Sequence, residues 1–146
     1  MNLSIFAERL SELIFDEKIN SNLLAQKVGC DRSTITRYLS ANKMPTVETC
    51  VKIANYFECS LDYLFGLEDN FYPQSFYELV PFSDRLPVLL KFFNISRYRL
   101  EKLTGFSEST LFYWSKGKTK PTIEKIIKLA RTLNTSIDFI LGRTKA

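Results

Sequence analysis

The fold of this chain is decided by residues 20–38, which read NSNLLAQKVGCDRSTITRY. This stretch predicts two short helices joined by a tight turn. Leu24 and Val28 are four residues apart, so they share one face of the first helix, and Ala25 lets that face approach a neighbour closely. Gly29 follows the last apolar residue, where a left-handed C-cap without a Cβ is favoured. Two helices on either side of a glycine turn are typical of a helix-turn-helix.

The second helix of this stretch has a polar and cationic outer face. Asn20 and Asp31 precede the two helices and are predicted to be their N-caps, because a side-chain oxygen there can accept from an unpaired backbone N–H. Ile35 and either Tyr38 or Leu39 lie at the spacing of an inner, buried face. The side chains left facing outward are Arg32, Ser33, Thr36 and Arg37. The second helix of a helix-turn-helix can lie in the major groove of DNA.

The same pattern occurs twice in the chain. A shift of 76 residues aligns residues 6–66 with residues 82–142 without a gap, and 17 of these 61 positions are identical. The identical pairs include the two turn glycines, Gly29 and Gly105, and other positions, such as Ile35 and Leu111, exchange one apolar residue for another. A unit of this length that occurs only twice argues for two copies of one small domain and against a solenoid.

Each copy is predicted to contain five short helices, since neither shows the alternating pattern of a strand. In the first copy, the first helix is predicted at roughly residues 3–15 and the fourth at about residues 47–57. In the second copy, Pro87 is predicted to lie in the first turn of a helix, where its missing N–H costs little. Ser96 and Ser107 are predicted N-caps. The predicted domains are residues 1–66 and 82–146.

Residues 67–81, LEDNFYPQSFYELVP, join the two copies. A flexible linker is typically rich in Gly and Ser and poor in aromatic residues. This segment instead carries four rings, on Phe71, Tyr72, Phe76 and Tyr77. We therefore predict an ordered linker whose rings pack between the domains. The alternative is a loose tether with exposed aromatic side chains.

The composition is that of a globular protein and argues against several function classes. No apolar run approaches the roughly 20 residues that span a bilayer, and the N-terminus lacks the pattern of a signal peptide, so the predicted location is the cytoplasm. The chain has no histidine and three cysteines without a CxxC pair, which makes zinc sites and histidine catalysis hard to build. Cys50 and Cys59 are predicted to be small packing residues. We predict no enzymatic activity, metal, cofactor, membrane contact or small-molecule ligand.

The formal net charge of +4 is distributed unevenly. Residues 1–66 carry a net charge of −1, residues 67–81 carry −3 and residues 82–146 carry +8. A small domain with a charge of +8 fits a polyanionic partner, because each Lys or Arg placed on a phosphate releases a counterion. The alternative is a basic surface kept for solubility.

The outer face of the third helix differs in the second copy, where two arginines and a threonine are replaced. In their places stand Glu108, Phe112 and Tyr113. Glutamate can accept from cytosine N4, and an aromatic side chain can contact the methyl group of thymine. Two interpretations stay open: this helix binds in the groove, or its rings pack against the linker or another protein. The cations that flank it, where DNA phosphates would run, are Arg97, Arg99, Lys102, Lys116, Lys118 and Lys120.

Both copies resemble the Cro/C1-type (XRE-type) helix-turn-helix domains of phage repressors and bacterial regulators. The first copy does so through LLAQKVGCDRSTITRYL and MPTVETCVKIANYFECSLDYLFG, and the second through LEKLTGFSESTLFYWSKGKTKPTIEKIIKLARTLNTSIDFILG. The two matches cover nearly the whole chain apart from residues 67–81. The resemblance implies an all-α protein with two tandem five-helix, lambda-repressor-like domains.

The resemblance also implies which residues contact DNA. In that family the outward residues of the third helix read bases, while the start of the second helix and the loop after the third helix hold phosphates. The corresponding base-reading positions are Arg32, Ser33, Thr36, Arg37, Glu108, Ser109, Phe112 and Tyr113. The corresponding phosphate contacts are Ser21, Asn42, Lys43, Arg97, Lys116 and Lys118. Ser21 and Arg97 stand where that family often has Gln.

The sequence therefore predicts a cytoplasmic, sequence-specific regulator that binds double-stranded DNA as a repressor, with two heads in one chain. In the alternative, one head reads DNA and the other is a protein-interaction or dimerisation module, including antitoxin-like roles. The aromatic linker and the two rings on the second reading helix motivate this alternative. A homodimer stays open under either interpretation.

Overall fold

The computed structural model describes residues 2–144, and this part of the chain is all-helical, as predicted. Met1, Lys145 and Ala146, at the outer ends of the two predicted domains, lie outside the described residues. The chain divides into two compact units between Phe76 and Tyr77. This division falls within the segment predicted to be a linker.

Within the described residues, the first unit contains five helices. They are α1 (Asn2–Asp16), α2 (Ser21–Val28), α3 (Arg32–Leu39), α4 (Val47–Phe57) and α5 (Leu61–Leu64). Helix α1 extends one residue further at each end than predicted, and α4 has the predicted bounds. Helices α2 and α3 form the helix-turn-helix expected from residues 20–38.

The core of the first unit is built around Phe6 on α1, which is fully buried. Its ring stacks on that of Phe65 with centroids 5.1 Å apart, and it meets the ring of Tyr38 on α3 edge-on at 5.9 Å. Aromatic pairs in these geometries stabilise beyond the area they bury, so α1 fixes where α3 lies. Other fully buried side chains of this unit include Leu10, Leu24, Ile35, Cys50, Ile53, Leu61 and Leu64.

The predicted caps of the first helix-turn-helix had different outcomes. Asn20 Oδ1 accepts from the Leu23 backbone N–H at 2.8 Å, which confirms that cap. Gly29 has a φ of 73° and donates its N–H to the Ala25 carbonyl, as expected of a left-handed C-cap. Asp31 lies at the N-cap position of α3, but its side chain makes no cap hydrogen bond. The side-chain cap predicted for Asp31 is therefore wrong, because water satisfies an exposed carboxylate at little net cost.

The described residues of the second unit also form five helices. They are α6 (Phe82–Phe92), α7 (Arg97–Thr104), α8 (Glu108–Ser115), α9 (Ile123–Thr132) and α10 (Ile137–Ile140). Pro87 lies in the middle of α6, because the helix begins at Phe82, directly after Pro81. The prediction that Pro87 lies in a first turn is therefore wrong. Its ring is exposed, and its missing N–H removes the usual helical donor to the Ser83 carbonyl.

Two predicted caps of the second unit are confirmed. Ser96 Oγ accepts from the Arg99 backbone N–H at 3.0 Å, and Ser107 Oγ accepts from the Thr110 backbone N–H at 3.2 Å. Both serines have extended backbones, as N-cap residues usually do. These local bonds set where α7 and α8 begin.

The core of the second unit contains Trp114 of α8, whose exposed fraction is 2%. Its ring meets the edge of Phe82 on α6 with centroids 5.6 Å apart, and that of Phe106 at 5.5 Å. Trp114 and Phe82 occupy the positions that Tyr38 and Phe6 hold in the first unit. Both units therefore hold the helix that follows the glycine turn through the same pair of positions.

The segment at residues 67–81 contacts the unit on each side of the division. Within the first unit, the Phe71 ring meets Tyr63 at 5.5 Å. Within the second unit, the Tyr77 N–H donates to the Arg143 carbonyl at 2.8 Å. Tyr72 and Tyr77 have exposed side chains. The packing of the linker rings between domains stays a prediction.

The cap geometry leads to a stability prediction for the first unit. We expect Asn20→Ala to lower the free energy of unfolding by about 1 kcal/mol, because a backbone N–H of α2 loses its side-chain partner. We expect Asp31→Ala to cost only about 0.3 kcal/mol, the size of a screened charge–dipole interaction at a helix N-terminus. Urea unfolding followed by far-ultraviolet circular dichroism measures both. An equal loss for the two variants would show that Asp31 caps α3 in solution.

Candidate nucleic-acid interface

The outer face of α3 carries the four residues that the sequence placed there. Arg32, Ser33, Thr36 and Arg37 are all exposed. Thr36 Oγ1 donates to the Arg32 carbonyl at 3.1 Å, so its hydroxyl is engaged within the helix. The opposite face of α3 is held in the core by buried side chains. The two guanidinium groups are therefore the long donors of this surface.

The loop after α3 is fixed by short-range hydrogen bonds. Ser40 Oγ donates to the Arg37 carbonyl at 3.2 Å, and Asn42 Nδ2 donates to Ser40 Oγ at 3.1 Å. Asn42 and Lys43 are exposed, whereas Ser21, the first residue of α2, is partly buried. These bonds hold Asn42 beside the C-terminal end of α3, where the sequence predicted a phosphate contact.

The outer face of α8 has a different chemistry. Glu108 and Ser109 are exposed, and the exposed fractions of Phe112 and Tyr113 are 38% and 42%. Ser109 Oγ lies 3.1 Å from Ser107 Oγ, so its hydroxyl belongs to the cap of the helix. This face presents one carboxylate and two aromatic rings where α3 presents guanidinium groups.

Three cations surround the two exposed rings of α8. Arg97 Cζ lies 5.7 Å from the centroid of the Phe112 ring, and Lys116 Nζ lies 5.6 Å from the same centroid. Lys118 Nζ lies 5.9 Å from the Tyr113 centroid. We call these five residues the α8 cluster. It brings together phosphate-contact and base-reading candidates that the sequence placed on separate elements.

Ser115, which also lies on α8, fixes the position of Arg97 in the α8 cluster. Arg97 Nη1 donates to Ser115 Oγ at 3.2 Å, and Ser115 Oγ donates to the Phe112 carbonyl. Arg97 begins α7 and is partly buried. Its guanidinium is therefore positioned beside α8 by a hydrogen bond as well as by the ring.

Two further lysines were missed in the sequence interpretation. Lys125 and Lys128 on α9 approach the Phe106 ring at 5.7 and 5.5 Å. Phe106 lies between the turn glycine and the N-cap of α8, so these cations lie near the turn of the second helix-turn-helix. In the sequence, the sign of a shared cationic surface was their spacing of three residues on the polar side of α9. Only the packing of α9 shows where that side of the helix lies.

Two arginines are structural cations instead. Arg9 Cζ lies 4.2 Å from the Tyr63 centroid in the first unit, and Arg85 Cζ lies 4.8 Å from the Phe139 centroid in the second. Arg85 also donates to the Phe139 carbonyl and, at 3.2 Å, to the Ile140 carbonyl at the end of α10. Burial lowers the pKa of Arg85. These side chains stabilise the last helix of each unit.

A third structural arginine, Arg143, lies in the core of the second unit. Arg143 Nη1 donates to Asp138 Oδ1, and the exposed fractions of the two residues are 1% and 2%. Removing one partner of such a buried ion pair lowers the free energy of unfolding by several kcal/mol, because the other charge is left buried and unpaired. Arg143 therefore contributes to the charge of the second unit without adding a cation to its surface.

The three cysteines of the chain are free thiols. Cys50 and Cys59 are fully buried, as predicted for small packing residues. Cys30 is partly buried, and desolvation raises the pKa of its thiol. Within residues 2–144 no group of three or more potential ligands could hold a metal ion, and no helix there is long and apolar enough to cross a membrane.

The fold and the two exposed helices define a class, the helix-turn-helix proteins. The helix-turn-helix family matches the chain twice, at residues 17–64 and 93–140. These regions cover more than half of the chain, so the chain belongs to the helix-turn-helix family. The resemblance to Cro/C1-type domains and the prediction of two tandem domains of this fold are confirmed.

Two curated proteins of Bacillus subtilis (strain 168) are similar to part of the chain. The uncharacterized HTH-type transcriptional regulator YobD is 30% identical over 66 residues, which cover 45% of this chain and 59% of the relative. The uncharacterized HTH-type transcriptional regulator YqaE is 32% identical over 66 residues, covering 45% and 57%. The chain thus spans less than two thirds of the length of these relatives. No solved structure matches it.

The division between structural and surface cations is testable. We expect Arg85→Ala to lower the free energy of unfolding of the second unit by about 2 kcal/mol, because two carbonyls lose their donor and the Phe139 ring loses its cation. Lys116→Ala is the matched control and should change it by less than about 0.5 kcal/mol. Trp114 is the only tryptophan of the chain, so its fluorescence in urea reports this unit. Similar losses for both variants would contradict the division.

Proposed function

We propose that this chain is a transcriptional regulator that binds double-stranded DNA sequence-specifically and acts as a repressor, with two helix-turn-helix heads in one chain. The observation that carries the proposal is that the helix after the glycine turn occurs twice, with its outward side chains exposed in both units. The two similar proteins are both named as transcriptional regulators. The domain bounds proposed for the heads are residues 1–66 and 82–146.

In the first head, α3 is proposed to read bases. A guanidinium group can donate two hydrogen bonds to O6 and N7 of guanine, and each good pair is worth roughly 1–3 kcal/mol of discrimination. Arg32 and Arg37 are long enough and exposed enough for this contact. The proposed base-reading set is Arg32, Ser33, Thr36 and Arg37. The proposed phosphate contacts are Ser21, Asn42 and Lys43.

The second head is proposed to supply more of the electrostatic attraction to DNA than the first. Residues 82–146 carry a net charge of +8, whereas residues 1–66 carry −1. Lys and Arg contacts to phosphates give binding that is independent of sequence and sensitive to salt. The proposed base contacts are Glu108, Ser109 and Tyr113. The proposed phosphate contacts are Arg97, Lys116 and Lys118.

The protein is proposed to act in the cytoplasm, without enzymatic activity and without a cofactor. Two-fold pairing of helix-turn-helix heads matches half-sites about one helical turn apart on DNA. The two heads are proposed to come either from a homodimer or from a single chain.

Arg37 and Lys118 should have different effects on DNA binding. We expect Arg37→Ala to lower the affinity for a duplex selected by the unchanged chain by about 10-fold or more, because a base contact is lost. Its affinity for a duplex of random sequence should change little. Lys118→Ala should weaken both duplexes by a similar factor and reduce the slope of log K against log salt by about one unit. Fluorescence anisotropy at several salt concentrations measures both variants. Equal loss on both duplexes for Arg37→Ala would remove Arg37 from the base-reading set.

The duplex for that measurement comes from selection. The full chain is incubated with a random pool of duplexes, and the bound sites are sequenced. A long site in two parts indicates that both heads read DNA, and one short site indicates that one head does. A stable oligomer without salt-sensitive binding to any duplex would instead support a protein-interaction module.

A further inference from the structure

The outer face of α8 combines an acceptor with an apolar surface. Glu108 and Phe112 are four residues apart, so their side chains are neighbours on one face of the helix. Both are exposed, and Tyr113 adjoins Phe112 with ring centroids 5.9 Å apart. A carboxylate can only accept hydrogen bonds at neutral pH, and a phenylalanine ring makes apolar contacts. This face therefore suits a partner with a donor beside an apolar group.

Only the second unit has this combination of a carboxylate and aromatic rings on the helix after its glycine turn. The positions of Arg32 and Arg37 are occupied by Glu108 and Tyr113 in the second unit. The bidentate contact with guanine needs two donors directed at two acceptors, which neither replacement can supply. If α8 enters a major groove, it cannot read guanine as α3 is proposed to do.

The cations of the α8 cluster affect what the rings can contact. Arg97 and Lys116 both lie over the Phe112 ring, and Lys118 lies over the Tyr113 ring. Stacking on an unpaired base uses a ring face, and two cations already lie over the Phe112 ring. A methyl group at the edge of a paired base needs only the rim of a ring. In the major groove that group is the C5-methyl of thymine.

The pattern of the major groove supplies the donor as well. Cytosine presents its N4 amino group there as a donor, and thymine presents a methyl group. We propose that α8 reads pyrimidines in duplex DNA, with Phe112 in contact with a thymine C5-methyl and Glu108 accepting from a cytosine N4. This inference rests on the proposed function and specifies the half-site of the second head. The first head would then take guanine and the second cytosine and thymine.

The test replaces thymine by deoxyuridine, which removes only the methyl group. The probe is the duplex selected by the full chain, with each thymine replaced in turn. We expect at least one replacement in the second half-site to weaken binding by about fourfold, the value of one buried methyl group. In Phe112→Ala the same replacement should have no effect, even if the variant binds all duplexes more weakly. Phe112→Leu, which keeps an apolar contact, should retain part of the effect.

Measuring both duplexes with the unchanged chain and with Phe112→Ala separates a contact with one thymine from a general loss of DNA affinity. Thymines of the first half-site serve as internal controls, since their replacement should have the same effect in the chain with and without Phe112. The Trp114 fluorescence of each variant shows that the second unit is folded. Sensitivity to deoxyuridine that persists in Phe112→Ala would overturn the inference, as would a selected second half-site without thymine or a preference for single strands. Absence of salt-sensitive duplex binding would overturn the proposed function itself.

Discussion

Each unit depends on a contact between a ring on the helix after its glycine turn and a phenylalanine on its first helix. Tyr38 meets Phe6 at 5.9 Å in the first unit, and Trp114 meets Phe82 at 5.6 Å in the second. A buried ring fixes the rotation of a short helix about its own axis, and side chains about half a turn away must then face water. The outward residues of α3 and α8 take their directions from this contact, and the proposed chemistry depends on those directions.

The positive charge of the second unit has two different physical roles. Arg85 and Arg143 are bound to carbonyls, a ring or a carboxylate in and near the core. Lys116 and Lys118 instead lie at exposed rings on the outer face of α8. A count of charges treats these residues alike, although only cations at the surface can replace counterions on a phosphate backbone.

The two units share interior contacts and differ on their outer surfaces. Arg9 and Arg85 occupy the same place in the two units and contact the rings at the same positions, Tyr63 and Phe139. In contrast, helices α3 and α8 share few outward residues: guanidinium groups in one unit are replaced by a carboxylate and a ring in the other. Packing restricts the first set of positions, whereas the outer faces are free to acquire different partners. This explains how one fold can present two chemistries in one chain.

The sequence by itself determined the helices, the glycine turn and most of the caps, because these follow from periodicity and from hydrogen bonds within a few residues. Asn20 is an example, since its partner is three residues away. The structure alone decided what depends on non-local geometry or on solvent: the uncapped rotamer of Asp31, the guanidinium of Arg97 over the Phe112 ring, and the approach of the α9 lysines to the turn. These contacts join residues distant along the chain or choose among rotamers of similar energy, and neither leaves a local pattern.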